Sequence, residues 1–323
     1  MRVALREALD EEMARDDRVY LIGEDIGKFG GAYRVTESLQ EKYGEMRVVD
    51  APIAEEVIVG SAIGAAMSGL RPVVELMTIN FSLVAYDQIV QNAAKIRYMF
   101  GGEVGVPMVI RMPGGAGHQL SSQHSHSFEV LYGMIPGLLV VAPTTPEDAK
   151  GLLKSAIRDN NPVMFLESMS LYNLRGEVPD EEYTTPIGKA AIRRKGTDIT
   201  IIGVSRQSVL AVAAAQRLED EDIDAEIIDL RSIRPIDWKP LVESVKKTNR
   251  CLVVEEGWPT YGVSAELAAG LTERAFDYLD SPILRLGGAE VPMPYNQQLE
   301  KAAIPSSEDI IRMAIQIVGK KVG

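Results

Sequence analysis

The feature that most constrains this chain is a series of short, continuously apolar runs separated by segments of helical spacing. In the first half they are RVYLIGED (18–25), MRVVD (46–50), RPVVELM (71–77), VPMVIRM, GLLVVAP and PVMFLES. In the second half they are TDITIIGVS, AEIIDL, CLVVEE and SPILRLGG. A strand exposed on one face alternates apolar with polar residues, whereas an unbroken apolar run marks a strand covered on both faces. Such strands are predominantly parallel, with helices crossing over each face. The fold class read from the sequence is therefore α/β, with two consecutive domains built on mainly parallel sheets.

The intervening segments support that reading. RVTESLQEKYG (34–44) predicts a helix closed by Gly44. PIAEEVIVGSAIGAAMSG (52–69) predicts one opened by Asp50 and Pro52. In LVAYDQIVQNAAKIRYM (83–99) the apolar residues Tyr86, Ile89, Val90, Ala93 and Ile96 fall at helical spacing. Further helices are expected at PEDAKGLLKSAIRD, at 206–220, around 237–247, at 262–279 and at 307–318. The stretch 169–196 turns polar and rich in turn residues, which places a domain at 1–180, a linker at 181–196 and a second domain at 197–323.

Composition excludes several classes of function. With 46 acidic and 34 basic residues in 323, the chain carries a net charge of −12 and suits neither nucleic acid nor an anionic membrane. No apolar stretch approaches the roughly 20 residues that span a bilayer. Cys251 is the only cysteine. It cannot form a disulfide within the chain or a cluster of thiolates around zinc, and in RCLVVEE it reads as a small core hydrophobe. The start, MRVALREALDEEMARDD, carries acids throughout and reads as an amphipathic helix, not a targeting peptide. A cytoplasmic chain is expected, or the mature form of one imported into an organelle matrix.

Three constellations could carry chemistry. Glu55 and Glu56 sit in the first turn of a helix otherwise nearly free of charge, where carboxylates are either favoured by the helix dipole or aimed into a cleft for proton transfer. Gly60, Gly64 and Ser68 recur every four residues on that helix and predict close packing against a partner. All three histidines, His118, His124 and His126, fall within GGAGHQLSSQHSHS. That Gly- and Ser-rich segment reads as an active-site loop with one catalytic histidine or as an incidental polar loop, and a metal site lacks a third ligand at suitable spacing. Asn80, Phe81 and Ser82 follow RPVVELM, at the end of a parallel strand where ligands collect, and an aromatic there can stack on a flat heterocycle. There is no phosphate-binding GxxxxGK[ST], no GxSxG elbow and no GxGxxG after a strand. There is also no Gly-Asp-Gly followed some thirty residues later by Asn.

Over nearly its whole length the sequence resembles the beta subunits of the thiamine-diphosphate-dependent decarboxylating component of 2-oxoacid dehydrogenases. The resemblance is carried by GEDIGKFGGAYRVTESLQEKYG, DAPIAEEVIVGSAIGAAMSGLRPVVELMTINFS, DQIVQNAAKIRYMFGG, QHSHS, IPGLLVVAPTTPEDAKGLLKSAIRDNNPV, IRPID, VEEGWPTYG and VPMPYNQQLEKAAIP. NFS, AAKIRYMFGG, LYNLRGEVPDEEY and VPMPY resemble the pyruvate enzyme more than the branched-chain one, and acetoin-type subunits share much of the pattern.

The resemblance implies a pyrimidine-binding domain followed by a transketolase-type C-terminal domain. It implies thiamine-diphosphate-dependent oxidative decarboxylation of pyruvate, with reductive acetylation of a lipoyl group on an acyltransferase core. Glu55 matches the catalytic glutamate, in an apolar pocket to which Ile53, Val57 and Ile58 would contribute. Phe81 matches the aromatic beneath the aminopyrimidine, and His124 the catalytic histidine. A potassium ion would be held mostly through backbone carbonyls by Met108, Ala156, Ile157, Asp159 and Asn161. The missing Gly-Asp-Gly motif is the one that thiamine enzymes use for Mg²⁺ and diphosphate. Its absence implies a separate alpha subunit holding that end of the cofactor, in an α₂β₂ heterotetramer. A non-catalytic structural subunit and a self-sufficient transketolase-like enzyme are the competing readings. Glu55, Phe81 and His124 together oppose the first, and the missing motif opposes the second.

Overall fold

The structure is a computed structural model that describes residues 1–319. These divide into two compact units, one of residues 1–114 and 131–187 and the other of residues 115–130 and 188–319.

In the first unit the strands are β1 (Val19–Gly23), β2 (Val48–Asp50), β3 (Arg71–Glu75), β4 (Val109–Gly114), β5 (Leu139–Val141) and β6 (Val163–Ser168). They run in the order β5-β6-β4-β3-β1-β2, all parallel. The helices of this half of the chain are α1 (Arg2–Arg15), α2 (Leu39–Tyr43), α3 (Glu55–Met67), α4 (Ile96–Met99), α5 (Glu129–Gly133) and α6 (Pro146–Arg158). Every residue of β6 is buried, as the unbroken apolar run predicts. Helix α6 starts at Pro146, with the Thr145 hydroxyl accepting from the Asp148 N–H at 3.1 Å, an N-cap of the expected kind. Its buried face, Ala149, Leu152, Leu153 and Ala156, meets Leu5, Ala8, Leu9 and Met13 of α1. Each such Leu contributes about 1.5–3 kcal/mol by leaving water. Ion pairs from Lys154 to Glu11 (2.7 Å) and from Arg158 to Glu12 join the same two helices.

The second unit contains β7 (Ala191–Arg194), β8 (Ile199–Gly203), β9 (Ala225–Asp229), β10 (Ser232–Arg234), β11 (Cys251–Val254) and β12 (Leu284–Leu286). Its own sheet has the order β12-β11-β8-β9-β7, parallel except for β7 against β9. Helices α7 (Arg206–Glu219), α8 (Trp238–Thr248), α9 (Val263–Ala275), α10 (Gln297–Ala303) and α11 (Ser307–Val318) accompany it. Ala211, Ala214, Ala215 and Leu218 of α7 and Ile310 and Ala314 of α11 share one core with Ile201, Ile227 and Leu252 of the sheet. The small side chains let the helices lie close to the sheet, and a capping box between Ser306 and Asp309 starts α11. Cys251 is buried in β11 and its thiol is pushed up to about 12 by burial, so it is inert as a nucleophile.

Several expectations need correction. Of the helix expected over 34–44, only Leu39–Tyr43 forms, because Arg34 and Ser38 take positive φ (60° and 67°) in the preceding turns. Asp50 does not cap α3. Its carboxylate accepts instead from the Gly27 N–H at 2.6 Å, and α3 begins only at Glu55. A side chain at Gly27 would collide with Asp50 and Gln40, which is why that loop needs glycine. The helix expected over 83–99 is split into a 3₁₀ turn (Phe81–Leu83), a π segment (Gln88–Ala93) and α4. On the small-residue face of α3, a side chain at Gly60 would meet Gln88 at 3.5 Å, whereas Gly64 has nothing within 4 Å of where its side chain would be. Strand β7 lies inside the stretch read as a linker. It is a half-exposed edge strand of sequence AIRR, without the apolar run that betrays the others.

One ionic cluster closes the first sheet. Arg111 in β4 donates to Glu167 of β6 through Nε (2.7 Å) and Nη2 (2.9 Å), and to Glu75 of β3 through Nη1. All three are buried, and the Tyr172 hydroxyl donates to Glu167 at 2.6 Å. Burial pushes the Glu75 carboxyl up, Arg111 opposes the shift, and Glu167 adds to it. Removing the guanidinium strands two buried carboxylates. Arg111→Ala is therefore expected to cost about 3–5 kcal/mol in urea unfolding. A loss below about 1 kcal/mol would mean that the cluster is not what holds these strand ends.

Candidate active site

Because β3, β1 and β2 are adjacent and parallel, their carboxyl ends open on one edge of the first sheet, where ligands of such sheets bind. Three side chains are delivered there by the segments that follow those strands. Glu24 comes directly after β1, Glu55 five residues after β2, and Phe81 six residues after β3.

Glu55 is 7% exposed at the first residue of α3, whereas Glu56 points to solvent. This settles which member of the pair faces inward. Of the residues expected to wall Glu55, Ile58 is buried, but Ile53 and Val57 are 80% and 67% exposed. The chain by itself therefore supplies only part of an apolar pocket. Asn80, beside Phe81, is buried, and its amide and backbone N–H both donate to the Thr78 hydroxyl (2.8 and 3.2 Å). The Ile79 N–H donates to the Pro113 carbonyl at 2.7 Å, so the Phe81 turn is tied to β4, and the half-buried ring sits at the sheet edge.

Glu24 escaped the sequence reading. It is 6% exposed, and its Oε1 is buried without a hydrogen-bond partner. Burial raises its pKa, and the charges of Glu55 and Asp25 raise it further. The acid at the end of RVYLIGED was visible in the sequence. Its pairing with Glu55 depends on β1 lying next to β2, which spacing along the chain does not state.

The histidines belong to the second unit. His118 is exposed, and His124 and His126 are half-buried. His126 stacks on Phe128 (centroids 4.2 Å apart, 12° between planes) and meets Trp258 edge-on at 5.8 Å. Burial lowers its pKa, and the charge of the neighbouring His124 adds to the effect. Among the described residues no group of three or more His, Cys, Asp or Glu is arranged to hold a metal ion. Glu129, just beyond the loop, is pushed up to about 7 by burial, with Glu256 and Glu255 adding to the shift.

The five residues of the expected potassium site gather where α6 ends and β4 begins, in the first unit. The Ile157 and Asp159 carbonyls both accept from Arg71 Nη1, each at 2.9 Å, and the Met108 carbonyl accepts from the Val163 N–H at 2.9 Å. The Asp159 carboxylate accepts from both the backbone and the side-chain N–H of Asn161 (2.7 and 2.8 Å). Two carbonyls sharing one donor point at a common place, as a monovalent cation requires, though a guanidinium already serves them there.

Comparison with known proteins gives this geometry a family. Residues 1–175 match the transketolase pyrimidine-binding domain, and residues 188–310 the transketolase C-terminal domain. The fold matches a structure titled "Split gene transketolase, inactive beta4 tetramer" with a TM-score of 0.80, over 99% of this chain and 98% of that one, at 20% identity. Together these define a two-domain chain of the transketolase type. The chain is 48% identical over 321 residues to the mitochondrial pyruvate dehydrogenase E1 component subunit beta of Dictyostelium discoideum, covering 98% of this chain and 90% of the relative. It is 50% identical over 311 residues to the corresponding subunit of Rickettsia conorii (96% and 95%), and 49% identical over 316 residues to subunit beta-1 of Arabidopsis thaliana (97% and 87%). The chain belongs to the family of pyruvate dehydrogenase E1 component beta subunits.

Proposed function

We propose that this chain is the beta half of a thiamine-diphosphate-dependent enzyme that decarboxylates pyruvate and passes the acetyl unit to a lipoyl group. The observation that carries the reading is the inward carboxylate of Glu55 beside Glu24, on the sheet edge that also receives Phe81. The residues suit the aminopyrimidine half of the cofactor: a carboxylate to bond a ring nitrogen, an aromatic face to stack, and an orphaned buried oxygen at Glu24 ready for a donor. When bound, thiamine diphosphate supplies a carbon nucleophile and an electron sink for the decarboxylation.

Glu55 would hold the aminopyrimidine at N1′ and exchange a proton with it there, and Phe81 would stack on the ring. In the overall reaction pyruvate loses CO₂, and the remaining acetyl group bonds to one sulfur of the lipoyl disulfide while the other sulfur takes a proton. His124 places or donates that proton, a task an imidazole suits because its two ring nitrogens can each give or accept a hydrogen bond.

No motif for Mg²⁺ and diphosphate occurs in the sequence, so that end of the cofactor is assigned to an alpha subunit in an α₂β₂ assembly. The exposed Ile53 and Val57 beside Glu55, and the open space at Gly64 of the same helix, are what an absent partner would cover. A lipoyl acyltransferase core is the proposed acceptor's carrier. No described helix is long and apolar enough to cross a membrane. The proposed compartment is the cytoplasm, or the organelle matrix for a processed chain.

With the alpha subunit present, Glu55→Gln is expected to lower turnover roughly 100-fold or more while leaving assembly intact. Full activity in that variant removes the catalytic assignment. Potassium is proposed at the α6–β4 carbonyls beside Arg71. Melting is expected to shift up by a few degrees in K⁺ relative to equal Na⁺, about 2–4 °C for each kcal/mol of binding. Identical curves in the two salts dismiss the ion.

A further inference from the structure

The loop that carries His124 is held by two buried carboxylates from the body of the second unit. Its neck closes with the Gly115 N–H donating to the His126 carbonyl at 2.9 Å. One oxygen, Glu256 Oε1, accepts from the Ala116 N–H on the outgoing limb (2.7 Å) and from the Ser127 hydroxyl on the returning limb (3.1 Å). A single atom thus fixes both limbs, and Oε2 of the same group faces Arg206 at 3.2 Å. Gly115, at φ 92°, gives the carboxylate access, since a side chain there would lie 2.7 Å from it.

Nearer the tip, Glu300 of α10 receives the Gly117 N–H (2.9 Å) and the Gln119 N–H (3.1 Å) on Oε1. Glu300 is 1% exposed. Gln119 and Ser121, just beyond, take positive φ (56° and 67°), a conformation that side-chain-bearing residues adopt only where the surroundings impose it. A buried carboxyl oxygen that accepts two hydrogen bonds at once fixes both donors in place. The loop is therefore set by hydrogen bonds from residues 116, 117, 119 and 127 to two buried carboxyl groups, which leave residues 120–125, His124 among them, as the presented tip.

We propose that Glu256 and Glu300 are positioning residues that fix where the loop presents His124, and that they govern transfer to the lipoyl group without governing decarboxylation. The proposal rests on the reading of His124 given above. The test uses the assembled alpha–beta enzyme, with decarboxylation read by ferricyanide reduction and transfer read by acetylation of a free lipoyl domain. Glu300→Ala is expected to lower kcat/KM for the lipoyl domain about 10- to 100-fold, with ferricyanide reduction held within about twofold. Glu300→Gln keeps the Oε1 acceptor and is expected to recover most of the transfer rate. If Glu300→Ala does not assemble, Glu256→Ser carries the same expectation.

A merely structural role would depress both reactions in parallel, and that result overturns the proposal, as does a variant that changes neither. His124→Ala separates the two layers. If it impairs transfer and the Glu300 variant does not, the anchoring proposal alone falls. If it leaves transfer intact, the His124 reading falls and the anchoring proposal with it.

Discussion

One guanidinium, that of Arg111, joins three neighbouring strands of the first sheet near their carboxyl ends, and the candidate site is built just beyond that junction. Glu75 on β3 and Glu167 on β6 flank β4, so the cation must sit between them to offset two negative charges buried in low dielectric. The arrangement costs desolvation, and an apolar core would serve stability as well. What it adds is a defined place for the strand ends: from Glu75 the chain goes on to Asn80 and Phe81, and from Arg111 to Gly114, where the histidine loop departs. Glu75 also limits Gly31, whose added side chain would lie 3.0 Å from its Oε1, so the same cluster shapes the glycine-rich loop after β1.

The parallel strands were readable because burial on both faces leaves no polar alternation, as in VMFLES, where every residue is buried. Glu55 was readable as one of two candidates, since two adjacent carboxylates in a helix's first turn cannot both face inward. Only the observed start of α3 shows which one does. Glu24 was not readable as part of a site because its significance comes from strand order, a property of pairing between distant segments. The anchors of the histidine loop were hidden for the same reason. Glu256 and Glu300 lie more than a hundred residues beyond the loop they hold, and each looks like an ordinary acid in VEEGW and QQLEKAA.

The local failures have local causes. Asp50 has the chemistry of a helix cap, but the Gly27 N–H claimed it first. The run 83–99 has helical spacing, yet a π segment interrupts it, and periodicity does not distinguish one helical winding from its neighbour over so short a span. Strand β7, AIRR, carries two adjacent arginines on an edge and gives no continuous apolar signal. In each case a tertiary partner decided between options that the local sequence left comparable in energy.

The central claim is that this chain holds half a cofactor site and that the other half is on a second protein. Calorimetric titration of thiamine diphosphate with Mg²⁺ tests it most directly, first into the chain alone and then into the chain assembled with an alpha subunit bearing Gly-Asp-Gly and a downstream Asn. The account predicts no tight binding to the isolated chain and saturable binding to the assembly. Tight, Mg²⁺-dependent binding by the chain alone would contradict it, because the diphosphate would then be held by residues that this sequence shows no motif to supply.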